Sequence, residues 1–98
     1  MSDFHKLINQ NKPVLVDFYA TWCGPCKMMT PILDDLKSKI GDKAHILKVD
    51  VDKNQKIANK LGVRSVPTVV LYKNGQIKWR ASGVRQANEL QRMIEQYA

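Results

Sequence analysis

A cysteine pair between a strand-like run and a helix-like pattern constrains the fold of this chain more than any other feature. Residues 14–19 (VLVDFY) are nearly all apolar, residues 22–26 read Trp-Cys-Gly-Pro-Cys, and a helical pattern follows. Cys23 and Cys26 are the only cysteines in the 98 residues. A Cys-x-x-Cys pair at a strand-to-helix junction indicates an α/β fold with dithiol–disulfide chemistry at the start of a helix.

The start of a helix is a suitable place for a reactive cysteine. A thiolate, rather than a thiol, attacks a disulfide or binds a metal. The first turn of a helix has unpaired N–H groups and partial positive charge, which stabilise an anion such as a Cys23 thiolate. Gly24 permits a tight turn, and Pro25 suits the first helical turn because its missing N–H is not needed there. Cys26 lies one turn further along, within reach of Cys23.

The two cysteines could instead form a structural crosslink or half of a zinc site. A disulfide that closes a loop of roughly four residues stabilises by only about 2 kcal/mol, against about 4.7 kcal/mol for a hundred-residue loop. A structural zinc ion needs four Cys or His ligands. Only His5 and His45 remain, without the usual spacing. We therefore expect redox chemistry and no metal site.

Apolar periodicity predicts a single domain over residues 1–98 with the element order α-β-α-β-α-β-β-α. The second helix, at about 25–40, has one apolar stripe at intervals of four, three and four residues. A short third helix is predicted to begin with Asn54 as its cap. Strands are predicted over residues 14–19, 46–51, 68–72 and 77–82.

The last two strands are predicted to form a hairpin. Asn74-Gly75 is a strong signal for a two-residue turn between antiparallel strands. In the final strand, Ile77, Trp79 and Ala81 alternate with polar residues and are predicted to share one face. Charged residues on the other face suit a solvated edge strand.

The net charge of +7 is unevenly distributed, because residues 53–88 contain eight Lys or Arg and no Asp or Glu. Such a region could attract acidic proteins or simply be a solvated face. Nucleic-acid binding is not expected, because no aromatic platform or known motif accompanies the charge. The sequence shows no signal-peptide pattern and no run of membrane-spanning length. We expect no membrane association and a cytoplasmic location, where surviving cysteine pairs tend to be catalytic; the alternative is a mature secreted form whose leader has been removed.

Four segments of the chain resemble the thioredoxin family, in the family's order. They are residues 16–27 (VDFYATWCGPCK), residues 62–68 (GVRSVPT), residues 73–75 (KNG) and Gly83. The resemblance implies a mixed four-stranded sheet in the order second, first, third, fourth, with four helices on both faces. Many members have a further edge strand before the first helix, which this chain starts too late to supply. Tyr19 stands where many members have tryptophan.

The resemblance also implies roles for the polar residues of the site. Cys23 would be the exposed nucleophile and Cys26 the shielded resolving cysteine. Asp17 is the one acid in an apolar strand, so burial should raise its pKa; it is either a structural carboxylate or, as the resemblance implies, the group that helps to deprotonate Cys26. Lys48 would tune Asp17 or be a surface strand residue. Lys27 would favour the thiolate or be solvated.

The substrate surface is likewise implied by the resemblance. Pro67 would be cis and pack against the cysteine pair, and the main chain of Val66 would bond an extended substrate strand. An apolar collar is expected around Cys23, formed by Trp22, Gly24, Pro25, Val66, Gly83 and Val84. The predicted substrate-binding residues are Trp22, Val66, Pro67, Gly83 and Val84.

The family's activity would make this chain a monomeric protein disulfide reductase. Electrons would come from thioredoxin reductase, an NADPH-dependent flavoprotein. They would pass to oxidised clients such as peroxiredoxin, ribonucleotide reductase and methionine sulfoxide reductase. No cofactor would be bound, since the Cys23–Cys26 disulfide is itself the redox group. Two alternatives are an oxidant or isomerase and a binding subunit in which the disulfide is incidental.

Overall fold

The apolar strand β1 (Val14–Tyr19) lies inside a four-stranded mixed sheet, as its nearly continuous apolar sequence predicts. The computed structural model describes residues 2–98. The sheet order is β2-β1-β3-β4, with β2 (His45–Asp50), β3 (Thr68–Lys73) and β4 (Gln76–Ser82). β1 pairs with β2 in parallel and with β3 antiparallel, and β4 pairs with β3 antiparallel. The predicted strand order is confirmed.

The helices are α1 (Ser2–Ile8), α2 (Gly24–Ile40), α3 (Gln55–Lys60) and α4 (Ala87–Gln96), with a single 3-10 turn at Gly41–Lys43. α2 continues through Pro31 and ends at Gly41, which has a positive φ of 53°. Asn54 is the N-cap residue of α3, as predicted. The prediction that its side chain caps the helix is wrong, because that side chain makes no capping hydrogen bond. Its side-chain amide instead donates to the Asp50 carbonyl at 2.9 Å, closing the turn after β2.

Two apolar cores, one on each face of the sheet, hold these layers together. On one face, α2 and α4 pack against the sheet through side chains that include Met29, Leu36 and Leu90. On the other face, α1 and α3 pack through Phe4 and Ile57. Because side chains alternate along β1, its residues serve both cores: Leu15 lies in the first, and Val14, Val16 and Phe18 lie in the second.

The hairpin between β3 and β4 contains a bulge that the alternating sequence did not reveal. Leu71 pairs with Trp79, but Tyr72 pairs with Ile77, which leaves Lys78 as an extra residue. Trp79 and Ala81 both pack against the α2–α4 core, so these two residues share one face, as predicted. The prediction that Ile77 shares their face is wrong, because the bulge turns it to the face of its partner Tyr72.

Candidate functional site

The cysteine pair stands where β1 gives way to α2. Cys23 is the N-cap residue of α2, with extended backbone (φ −89°, ψ 114°), and Pro25 lies in the first helical turn. The Cys23 N–H donates to the Ala20 carbonyl at 3.2 Å, which folds the connecting loop back on the end of β1. The Cys26 N–H donates to Cys23 Sγ at 3.2 Å. One of the N–H groups that have no partner within the helix is therefore directed at this sulfur.

A disulfide joins Cys23 and Cys26, whose Cα atoms are 5.3 Å apart. The two residues are 4% and 5% exposed. The prediction that Cys23 is exposed while Cys26 is shielded is therefore wrong for this oxidised form. The physical reason is packing, because the sulfurs lie in a small cluster with Ala20 and half-buried Val66. Cys23 Sγ is only 3.6 Å from the Val66 carbonyl oxygen.

Two loops hold four of the predicted substrate-binding residues, and one of these residues contacts the disulfide. The Val66–Pro67 peptide bond is cis, as the resemblance predicts. The Gly83 N–H donates to the Pro67 carbonyl at 2.8 Å, which fixes the end of β4 against the cis-proline loop. Val84 follows, half-buried against the α2–α4 core. Val66 packs against the cysteine cluster, and the buried Pro67 links it to Gly83.

Trp22 is the most exposed large apolar side chain among the predicted substrate-binding residues, with 71% of its area accessible. Its indole N–H donates to Asp52 Oδ2 at 2.8 Å. The Asp52 N–H in turn donates to Asp50 Oδ1 at 2.9 Å. The ring is therefore held in place although it is exposed. Sequence reasoning missed Asp52; the run Asp50-Val51-Asp52 signals only a turn after a strand.

Asp17 is 0% exposed, and neither carboxylate oxygen has a hydrogen-bond partner within residues 2–98. By alternation along β1 it faces the α2 side, as does Leu15, which packs with Met29 of α2. Burial raises the pKa of Asp17 from 3.8 to about 6, and the positive charge of Lys48 opposes part of that rise. Lys48 is the residue of β2 directly opposite Asp17.

An open groove connects Cys26 to this lysine. Its lining residues are Tyr19, Ala20, Thr21, Cys26, Lys27, Thr30 and Lys48. The Lys48 ammonium lies over the Tyr19 ring, with Nζ 4.8 Å from the ring centroid. Lys27 is exposed at the same groove. The nearly buried Cys26 and the two predicted supporting lysines therefore line one groove.

Within residues 2–98, no group of three or more His, Cys, Asp or Glu side chains is arranged to hold a metal ion. No helix of these residues combines the length and apolar character needed to cross a membrane.

Known proteins were compared with the chain by sequence. A family model described as Thioredoxin matches residues 1–96. The chain is 46% identical over 95 residues to "Thioredoxin Y, chloroplastic" of Oryza sativa subsp. japonica, covering 96% of this chain and 56% of that protein. It is 46% identical over 90 residues to "Thioredoxin" of Rickettsia felis, covering 91% and 86%. The chain thus spans little more than half of the rice relative but most of the rickettsial one.

Solved structures give the same result for the fold. A mutant thioredoxin from Halobacterium salinarum NRC-1 superposes with a TM-score of 0.89 at 38% identity, covering 99% of this chain and 84% of that one. A chain from a study of the thiol resolving mechanism in yeast mitochondrial 1-Cys peroxiredoxin via glutathione/thioredoxin systems has a TM-score of 0.88 at 38% identity. That match covers 98% of this chain and 89% of the other. The sheet order and the four helices therefore match those of the solved relatives.

Proposed function

The chain belongs to the thioredoxin family, and from this premise we propose that it is a protein disulfide reductase recharged by thioredoxin reductase. Its relatives are thiol–disulfide oxidoreductases, and the proximal cysteine pair supports dithiol–disulfide exchange. One observation carries the proposal: Cys23 is the N-cap of α2, accepts the Cys26 N–H, and is joined to Cys26 within one helical turn.

The first step we propose is attack by the reduced Cys23 thiolate on a client disulfide. A bond forms between Cys23 Sγ and one client sulfur, while the other client sulfur leaves as a thiolate and is protonated. The N–H groups at the start of α2 stabilise the charge on Cys23 before attack. The product of this step is a mixed disulfide between Cys23 and the client.

The second step releases the client and forms the disulfide described here. Cys26 loses its proton to the Asp17 carboxylate, directly or through water, and its thiolate attacks Cys23 Sγ. The Cys23–client bond breaks, and the second client sulfur leaves as a thiolate that takes up a proton. The client gains two electrons and two protons; the chain loses two electrons and the Cys26 proton, and solvent supplies the proton that the Cys23 thiol had already released. An Asp17 pKa of about 6 suits this exchange, because the carboxylate is mostly ionised at pH 7 but still basic enough to accept a proton.

The collar around the disulfide is proposed to hold the client chain. The main-chain groups of Val66 would bond an extended client segment beside Cys23. Trp22, Pro25 and Val84 would contact its side chains, with little preference for sequence because apolar contact is not directional. Gly24 and Gly83 have no side chain, so a client main chain can approach this surface closely.

The proposed clients are proteins with accessible disulfides, including peroxiredoxin, ribonucleotide reductase and methionine sulfoxide reductase. The peroxiredoxin study in which a similar chain was solved supports the first of these. We propose that the chain acts as a monomeric single domain in a reducing compartment, the cytoplasm. Two relatives are named chloroplastic, so fractionation of the native host is the measurement that decides the compartment.

Insulin disulfide reduction tests the proposed function. With NADPH and thioredoxin reductase as the electron source, wild type should reduce insulin, and Cys23→Ser should lose at least about a hundredfold in rate because the nucleophile is gone. Ser38→Ala, which removes an exposed hydroxyl elsewhere on α2, is the matched control and should keep full rate. Full activity of Cys23→Ser would contradict the proposal. If wild type reduces insulin with dithiothreitol but not with NADPH and thioredoxin reductase, only the proposed reductase partner is contradicted.

A further inference from the structure

The Lys48 ammonium is held by an aromatic ring and not by a carboxylate. Its Nζ lies 4.8 Å from the centroid of the Tyr19 ring. Within residues 2–98 the ion pairs are Lys39–Asp35 and Arg85–Glu89, and neither involves Lys48. A lysine on an exposed strand position is otherwise free to extend into water. The contact with the ring is therefore what orders this charge.

The ring, the lysine and the buried acid lie on one face of the sheet. Tyr19 follows Asp17 by two residues on β1, so their side chains point to the same side. Lys48 is the register partner of Asp17 on the neighbouring β2. Tyr19 and Lys48 also line the groove that reaches Cys26. The position of the ammonium over the ring thus fixes its position relative to the carboxylate.

We propose that Tyr19 is a positioning residue, whose ring holds the Lys48 ammonium beside Asp17 and so favours the ionised carboxylate that accepts the Cys26 proton. The inference deepens the proposed function, because it assigns Tyr19 a task in the second step of exchange. Tyr19 also packs, partly buried, against the cluster of Ala20, Cys23 and Cys26, but the role proposed here does not depend on that contact. Tyr19 acts through Lys48.

Other charges facing Asp17 do not replace Lys48. On β2, the Asp50 carboxylate accepts the N–H groups of Asp52 and Lys53, at 2.9 and 3.3 Å. On β3, the residue opposite Asp17 is the uncharged Val69.

The helices on this face contribute one further charge near the groove, Lys27 of α2, but the Asp17 pKa responds to burial and to Lys48. α2 also contributes Cys26, which does not titrate in the disulfide. α4 contributes Leu90 and Ile94. Lys48 is the charge that lowers the pKa of Asp17 against the larger effect of burial. A change in its position should therefore change the titration of Asp17.

The test is an NMR titration of the Asp17 side-chain carboxyl in the oxidised protein, in which the cysteines cannot titrate. Tyr19→Leu keeps an apolar side chain but removes the ring, so the ammonium should move into water and the Asp17 pKa should rise by about half a unit. Tyr19→Phe and Tyr19→Trp keep a ring and should titrate as wild type. Lys48→Met should raise the Asp17 pKa at least as much as Tyr19→Leu.

A double substitution separates positioning from a general structural effect. In the Lys48→Met background, Tyr19→Leu should cause no further rise, since the charge that the ring positions is absent. The proposal is overturned if Tyr19→Leu leaves the Asp17 titration unchanged or lowers it, or if it raises the pKa equally with and without Lys48. Should Tyr19→Leu not fold, a Tyr19→Phe titration that departs from wild type toward Lys48→Met overturns it as well.

The titration is independent of insulin reduction, so the two proposals can fail separately. A ring-dependent Asp17 titration in a chain that does not reduce insulin would refute the proposed function alone. Insulin reduction through Cys23 with a ring-independent titration would refute the role of Tyr19 alone.

Discussion

Asp17 is buried without a hydrogen-bond partner among residues 2–98, and its burial makes the stability of the protein depend on pH. Burial raises its pKa from 3.8 to about 6, so the folded chain binds a proton at pH values where the unfolded chain has released it. Below about pH 4 Asp17 is protonated in both the folded and the unfolded chain, so folding does not bury a charge. As pH rises through 6, the folded chain must bear a buried charge, and the free energy of unfolding falls. A group that weakens the fold at neutral pH is consistent with selection for chemistry.

Asp17→Asn should remove this dependence. The pKa rise corresponds to about 3 kcal/mol, so Asp17→Asn should exceed wild type in free energy of unfolding by up to that amount at pH 7. The advantage should shrink as pH falls through 6 and vanish below 4. Urea unfolding of the oxidised proteins across this range measures it. Asp34→Asn, at an exposed position of α2, is the control and should follow wild type; an Asp17→Asn curve parallel to wild type at every pH would refute the argument.

Burial of Asp17 could be predicted from the sequence, because it is a lone acid in a run of apolar residues. Its neighbours could not. The contact between Lys48 and Tyr19 depends on the parallel register of β1 and β2 and on two side-chain conformations. The bond from Trp22 to Asp52 spans 30 positions, and local patterns carry no information at that distance.

At the scale of elements, the β3–β4 hairpin depends on its two-residue turn. Asn74 and Gly75 both have positive φ, 52° and 78°, as a type I′ turn requires. The Gly75 N–H donates to the Ile8 carbonyl at 3.1 Å, and the Asn74 N–H donates to the Gln10 carbonyl at 2.9 Å. The turn therefore also joins the hairpin to the segment that follows α1. The turn was predictable from Asn-Gly alone, whereas the bulge at Lys78 was not, because the alternating pattern of β4 continues through it.

Gly75→Ala should destabilise the protein by about 1 kcal/mol or more, because an L side chain is strained at this φ. A Cβ there would also lie 3.3 Å from Asn9 Oδ1. Gly24→Ala is the matched control: no atom lies within 4 Å of its added Cβ, and φ is not positive. It should change the free energy of unfolding by less than about 0.5 kcal/mol. Urea midpoints of the oxidised proteins measure both, and equal losses at the two glycines would contradict the role given to the turn.

At the scale of the whole molecule, the fold could be predicted in two stages. Apolar periodicity and turn signals predicted the order of the elements, and the bounds of the four strands and of α2 to within about one residue, because each of these elements buries one face or two. The strand order and the cis Val66–Pro67 bond came only from the resemblance, since neither follows from local pattern. The near-equal burial of Cys23 and Cys26 could be predicted neither from periodicity nor from the resemblance, because it depends on how the Val66 loop packs on the oxidised pair. The net charge of +7 affects association with charged partners and does not determine the fold.

The central claim is that Cys23 attacks client disulfides and Cys26 resolves the intermediate. The most direct measurement is mass spectrometry of adducts formed when reduced Cys26→Ser, and separately reduced Cys23→Ser, meets an oxidised client protein. Cys26→Ser should accumulate a mixed disulfide that peptide mapping places on Cys23, while Cys23→Ser should form little adduct. Adducts on Cys26 at a comparable rate, or no adduct with Cys26→Ser, would contradict the account.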